Sequence, residues 1–284
     1  MCKSEYKKIN GRFLFSLFVF SLLLASVASA QGNLLITPKR VVFDGTKRVM
    51  ELNLANTGQD TAKYNVSIVQ YRMTENGAFE EISTPDPGQN FADKYIRFFP
   101  RTVTLGPNEA QVVKMQVTNT SNLAAGEYRS HVYFRAVPKQ SALGEVDPNR
   151  DTTAVSVKLV PIFGITIPVI IRIGQSTAAV TISDLKLDMV NDSTNRLALV
   201  FNRTGNMSVY GDLKVIHISP SGKETTVGVV NGIAVYTPNP LRKFLMDLDR
   251  KANVDLHQGK LKVTFSSQSD TKPEKYAETE LQLK

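Results

Sequence analysis

The 284-residue chain has a single cysteine, Cys2, and it stands ahead of the first apolar run. Beyond that run neither a disulfide nor a thiolate metal site can form. Small secreted animal domains lean on disulfides, so an exported chain without them fits a bacterial periplasm better. Histidine is nearly as scarce. His131, His217 and His257 stand alone, without the H-x-x-x-H or H-E-x-x-H spacing that holds a metal. His131 falls in a strand-like run and reads as a surface or edge residue. The chain has no G-x-S-x-G elbow and no phosphate-cradling glycine loop, which removes common hydrolase and nucleotide-binding chemistries. Asp247 and Asp249 share a face of an extended segment, as acids at strand ends often do. The reading is a non-enzyme, with no cofactor and no metal.

Long hydrophobic runs are missing after the first thirty residues. Lys3, Lys7, Lys8 and Arg12 precede an almost wholly apolar stretch from Phe13 to Val27, and Ala28-Ser29-Ala30 follows. A membrane helix needs about 20 apolar residues. Residues 1–30 are therefore predicted to be a signal peptide, removed before Gln31, and with the lack of cysteine the expected location is the periplasm of a Gram-negative bacterium. The charge is modestly basic, 34 Lys and Arg against 26 Asp and Glu for a net +8. Those cations are scattered through β-like segments, which describes a solvated surface and argues against nucleic acid as a partner.

What the chain does have is period-2 alternation. Strands are predicted at Leu34–Phe43, Val49–Asn56, Tyr64–Arg72, Ile96–Val103, Gln111–Asn119 and His131–Ala136, separated by turn signals such as Asn56-Thr57-Gly58 and Gly106-Pro107-Asn108. A second set runs through Val180–Leu187, Leu197–Asn202, Leu213–Ser219, Thr225–Val230, Phe244–Leu248, Leu261–Ser266 and Ala277–Leu283. Each set is about 100 residues long, the size of one immunoglobulin-like sandwich. The expected architecture is all-β: a signal peptide at 1–30, an N-terminal sandwich at 31–174 and a C-terminal sandwich at 175–284, with the break near Gly174-Gln175-Ser176.

One segment exceeds the pattern. From Val155 to Ile173 every odd position is apolar. Fully extended it would reach on the order of 60 Å, against a usual strand of about 5–6 residues. Either two strands meet here, or part of the apolar face is offered to another molecule. An unpaired apolar edge is an aggregation liability, so self-association through it is expected when nothing else covers it.

The N-terminal half carries, in order, Arg40-Val-Val-Phe-Asp-Gly45, Met50-Glu-Leu-Asn-Leu-Ala-Asn56, Phe99-Pro-Arg-Thr-Val-Thr-Leu105 with Gln111-Val-Val-Lys-Met115, and Gly126-Glu-Tyr-Arg-Ser-His-Val-Tyr-Phe134 with Ala136-Val-Pro138. In these motifs it resembles the PapD-like periplasmic chaperones of pilus and fimbrial subunits. The resemblance implies a chaperone that completes unfinished subunits by lending them a strand, then delivers them to an outer-membrane usher. Val155, Val157, Leu159 and Phe163 match the donor face, and residues from Ile165 onward match the chaperone's own core. Arg40 matches a cation that anchors the subunit's terminal carboxylate. The lysine that assists it is replaced by Pro168, leaving Lys39, Lys158 or Arg129 as substitutes. Arg172 matches an interdomain arginine whose acidic partner position holds Arg129, with Glu127 two residues earlier. The alternative reading is a structural or adhesive exported protein that kept the fold without chaperone activity.

Overall fold

Alternating side chains become strands along the whole of the described chain. The computed structural model describes residues 34–138, 161–191, 194–252, 254–268 and 273–283. The predicted signal peptide and the donor positions Val155, Val157 and Leu159 lie outside these residues, as does Lys158. The first group of strands is β1 (Leu34–Thr37), β2 (Val41–Phe43), β3 (Val49–Asn56), β4 (Ala62–Val69), β5 (Tyr71–Met73), β6 (Phe79–Glu81), β7 (Ile96–Phe99), β8 (Thr102–Leu105), β9 (Ala110–Val117), β10 (Gly126–Ala136) and β11 (Gly164–Ile173). The second is β12 (Ala179–Asn191), β13 (Thr194–Thr204), β14 (Val209–Ile218), β15 (Glu224–Val235), β16 (Leu241–Asp247), β17 (Lys260–Ser267) and β18 (Lys275–Gln282). Two short 3-10 turns are the only helical pieces among the described residues, and no helix there is long and apolar enough to cross a membrane.

The first group makes one sandwich, with sheet order β1-β3-β9-β7 on one side and β2-β11-β10-β4-β8 on the other. Leu52 and Leu54 of β3, Val113 and Met115 of β9, Val132 and Phe134 of β10, and Val169 and Ile171 of β11 alternate into its core. Burying each such side chain contributes about 1.5–3 kcal/mol. Three strands expected to be continuous are divided, Tyr64–Arg72 at Gln70 into β4 and β5 and two others at a proline. Leu34–Phe43 divides into β1 and β2, and Ile96–Val103 into β7 and β8, with the two halves in opposite sheets. Pro38 and Pro100 sit at the crossings, where a residue without an N–H costs no ladder bond. Asn56, fully buried, ties the following turn together. Its amide donates to the carbonyls of Asp60 and Gly106 at 2.7 and 3.0 Å, and its oxygen accepts from the Gly58 N–H at 3.0 Å.

The second group makes a sandwich of β12-β13-β16 against β15-β14-β17-β18, with its own core around Leu199, Phe201, Leu213, Val215, Val263 and Phe265. β11 ends at Ile173 and β12 begins at Ala179, with Gly174 between them at φ +74°, a left-handed conformation that favours glycine. A separate hairpin, β5-β6, belongs to neither sandwich and lies between them.

Candidate functional site

β10 is buried on both faces. Its even positions, Val132 and Phe134, fill the first core. Its odd positions carry Glu127, Arg129 and His131, each under 5 % exposed, opposite Arg172, Ile170 and Pro168 of β11 in the antiparallel register. Charged side chains on alternate positions normally face water. Here the second sandwich covers Glu127 and Arg129, and Tyr71 and Phe79 of the β5-β6 hairpin join Tyr236 over His131.

Glu127 is the centre of that contact. Its Oε1 accepts from Arg129 Nη1 at 2.8 Å, and its Oε2 accepts from the Ser208 N–H at 3.0 Å, from the Ser208 hydroxyl, and more weakly from Arg172 at 3.5 Å. Arg129 also donates to the Thr237 carbonyl at 2.7 Å, and its guanidinium lies 3.8 Å from the Tyr236 ring centroid. Arg172 donates to the Ser208 carbonyl at 2.8 Å. Ser208, Tyr236 and Thr237 belong to the second sandwich, so both arginines span the junction. Burial pushes the Glu127 carboxyl up, but Arg129, the Ser208 hydroxyl and Arg172 outweigh it and hold it below the usual carboxylate range.

His131 corrects the expectation of a surface or edge residue. It is 4 % exposed and packed edge-on against Tyr71 and Phe79, at ring distances of 5.2 and 5.9 Å. Burial, then the charges of Arg129 and Arg40, lower its pKa to about 3, so the ring is neutral at neutral pH. Between that value and the free value of 6.5 the unfolded chain binds a proton that the folded chain does not. Stability from this group is therefore lost as pH falls through that window. The Glu127 contribution, complete above its free value of 4.5, is lost at still lower pH. Urea unfolding from pH 7 to pH 4 is expected to show a decline of up to about 1.4 kcal/mol per pH unit below 6.5. His131→Phe should flatten the part between 6.5 and 4.5. A parent protein equally stable at pH 6.5 and 4.5 would contradict this placement of His131.

The β5-β6 hairpin closes one side of the same region. It was not foreseen as a hairpin: Tyr71 and Arg72 read as the end of the expected strand Tyr64–Arg72, and β6, with three residues, carries no readable period. Asn239 donates to the Met73 carbonyl at 2.6 Å, the Lys243 N–H to the Glu75 carbonyl at 2.7 Å, and Lys243 Nζ pairs with Glu75 at 3.0 Å. At its turn Gly77 has φ +80°, and a Cβ there would stand 2.5 Å from Arg242 Nη2, so the guanidinium lies directly on the turn. Between hairpin and sandwiches is a cleft of about 490 Å³, walled by Phe79, His131, Pro168, Tyr210, Tyr236 and Arg242.

The sequence-derived residues fall around this cleft as follows. Arg40, just ahead of β2, is partly covered. Its guanidinium lies 4.4 Å over Tyr210 and 6.0 Å from the Tyr236 ring centroid, and its covered Nη1 has no partner among the described residues. Pro168 is part of the wall. Of the cations considered as substitutes for lysine there, Arg129 is committed to Glu127 and Lys39 is exposed.

Phe163 lies at the head of β11 and is 61 % exposed, with Ile162 at 43 %. Ile165, expected in the core, is 37 % exposed. The core's last contribution from this end of the strand is Ile167. β2 pairs in parallel only with Val169, Ile170 and Ile171. From Gly164 to Pro168, β11 is bonded only to β10, so among the described residues one backbone edge there is unpaired. Among the described residues no group of three or more His, Cys, Asp or Glu gathers where a metal ion could sit.

No protein-family model matches the chain, and no curated protein matches it in sequence. Among solved structures it is similar to the YadV chaperone, at 13% identity over 88% of this chain and 99% of that one with a TM-score of 0.42. It is also similar to the class 5 fimbriae chaperone CfaA, at 14% identity over 89% and 99% with a TM-score of 0.41. The E. coli chaperone DraB matches at 12% identity over 89% and 97%, again with a TM-score of 0.41.

Proposed function

We propose that this chain is an exported chaperone for pilus or fimbrial subunits. It completes a subunit's unfinished sandwich by lending a strand, and delivers the subunit to an outer-membrane usher. The observation that carries the reading is the head of β11. There the odd-numbered face that fills the host core at Ile167, Val169 and Ile171 continues outward as exposed Ile165 and Phe163, beside an unpaired backbone edge. Strand addition needs both features together, since ladder hydrogen bonds supply affinity and alternate side chains fill the partner's groove. Val155, Val157 and Leu159 continue the same phase and would extend the donor face. The ordered Gly126–Phe134 and Arg40–Gly45 segments, which carry the resemblance to the PapD-like chaperones, support the reading independently.

Arg40 is the assigned anchor for the subunit's terminal carboxylate. It has a covered, unpartnered nitrogen and no ion pair among the described residues. The test is co-expression with exported β proteins encoded beside it, followed by co-purification. A charge-assisted hydrogen bond contributes about 1.5–3 kcal/mol, so Arg40→Ala is expected to weaken capture roughly tenfold or more while the fold survives. Capture that is unchanged in Arg40→Ala removes Arg40 from the role. A protein that captures no exported β subunit at all favours the structural or adhesive alternative.

A further inference from the structure

The two sandwiches meet at two places that are held very unequally. The first lies beside the linker. Glu127 stands opposite Arg172, one residue before β11 ends, and its buried carboxylate takes Arg129, Arg172 and both donors of Ser208. The second is the β5-β6 hairpin, which reaches across His131, four residues or about 13 Å further along β10. There Met73 packs with Ala234 and Tyr236 in a small apolar cluster of its own. The Met73 and Glu75 carbonyls accept from Asn239 Nδ2 and from the Lys243 N–H, and Phe79 stands 5.8 Å from the Tyr236 ring. Met73 is the one buried residue of the hairpin, and Phe79 is half exposed. The Glu75–Lys243 ion pair is open to water, with side chains 56 % and 59 % exposed, and such pairs contribute little. A two-stranded hairpin is only marginally stable by itself, so this one is ordered by what it touches on either side.

We propose that the hairpin is a releasable strap: it holds the two sandwiches together across the cleft, and when it lets go they part about the linker at Gly174. Local opening starts where few apolar contacts and exposed hydrogen bonds hold a segment. The hairpin is such a segment, and the Glu127 network is not. A hinge needs only a short stretch that absorbs the backbone change. Asn206 ties the chain to the second sandwich from Gln175 onward: its Nδ2 donates to the Gln175 carbonyl at 3.0 Å, and its Oδ1 accepts from the Thr177 N–H at 2.9 Å. Gly174, at φ +74°, is left as the pivot. The Glu127 network lies beside that pivot and moves least in such a rotation, while the strap lies further out and must separate. The consequence falls on the cleft. Met73, Gly77 and Phe79 of the strap and Tyr210, Tyr236 and Arg242 of the other sandwich wall the same cavity of about 490 Å³, and the Arg242 guanidinium lies on the Gly77 turn. A group that enters between Phe79 and Tyr236 replaces the strap's own contact. It shifts the population toward the open state by as much as it prefers that state. The proposal does not depend on what the cleft holds, and so stands apart from the chaperone reading.

The experiment is amide hydrogen exchange read by NMR on the purified protein, followed by spin-label distances. In the parent, the bonded amides of Thr74, Ile82 and Lys243 are expected to exchange at least tenfold faster than the ladder amides of β10 and β14. Exchange of all three at the rate of those core strands would mean that the hairpin opens only with the whole molecule. That result overturns the proposal with no variant needed. Met73→Ser with Asn239→Ala then cuts the strap. Spin labels at Lys63→Cys and Lys186→Cys, exposed positions on different sandwiches, are placed in a Cys2→Ser chain. The parent should give one narrow distance distribution, and the cut variant a broadened one with a second population. Faster exchange of the hairpin with an unchanged distance distribution would show that the hairpin holds nothing together, and the strap falls. If the variant also loses protection in β10 or β14, Phe79→Ser, at a half-exposed position, replaces it and is read in the same way.

Discussion

Changing Leu159 and Phe163 together to Ser is expected to abolish stabilisation of a bound subunit while barely moving the melting temperature of the free protein. The two halves of that result have different causes. Each side chain seated in a partner's groove contributes about 1.5–3 kcal/mol, so losing two should weaken capture on the order of a hundredfold or more. In the free protein Phe163 is 61 % exposed, so its loss opens no cavity in the host core. The melting temperature should then stay within about 2 °C, the scatter of ordinary surface substitutions. Differential scanning calorimetry of the free double variant and co-purification of the complex read the two halves separately. If the double variant unfolds early with no subunit present, the segment belongs to the host core, and the donor-strand assignment fails with it.

Glu127→Gln should produce the largest loss of intrinsic stability. The carboxylate has a fully buried side chain beside an Arg129 side chain that is 2 % exposed, and it holds Arg172 and Ser208 as well. Removing one partner of a buried pair leaves the other charge uncompensated and costs about 3–5 kcal/mol. For a chain of this size that corresponds to a fall in melting temperature on the order of 10 °C. Replacing both partners, Glu127→Gln with Arg129→Met, should recover part of the loss, because the stranded cation is then gone. A single variant that melts within 2 °C of the parent would mean the network is reached by water and holds little of the junction together.

The all-β architecture and the two sandwiches were legible because alternation is a local signal. β3, β9 and β13 each place apolar residues at every second position through the middle of the strand, as in Leu197, Leu199 and Phe201. The charged face of β10 was not legible in the same way. Glu127, Arg129 and His131 obey the same period as solvent-facing residues, and the surface that covers them is built from Ser208, Tyr236 and Thr237, far along the chain, and from Tyr71 and Phe79 of a hairpin with no readable period. The hint available was opposite charges at Glu127 and Arg129, two residues apart on one face, in a strand with an otherwise apolar inner side. Arg242 gave less still. Its strand shows only Met246 buried, a weak period, and its significance comes from Gly77 and two tyrosines that no local pattern connects to it. The sheet crossings at Pro38 and Pro100 were missed because the apolar runs pass through the prolines without a change of phase.

The crossing at Pro38 also makes the position of Arg40 a matter of reach. β1 and β2 stand in facing sheets, joined only by Pro38, Lys39 and Arg40. Facing sheets lie about 10 Å apart, and the four Cα steps from Thr37 to Val41 span at most about 13–14 Å. The tether has only a few ångströms to spare, so the length of the chain limits where the guanidinium can be placed, alongside its contacts at the junction. Adding or deleting one residue would slip β2 by one position and turn Val41 and Phe43, now 0 % and 3 % exposed, away from the core. Spacing in this bridge therefore carries information that substitution alone cannot reveal: a chain could keep its arginine and, with one residue more, no longer present it.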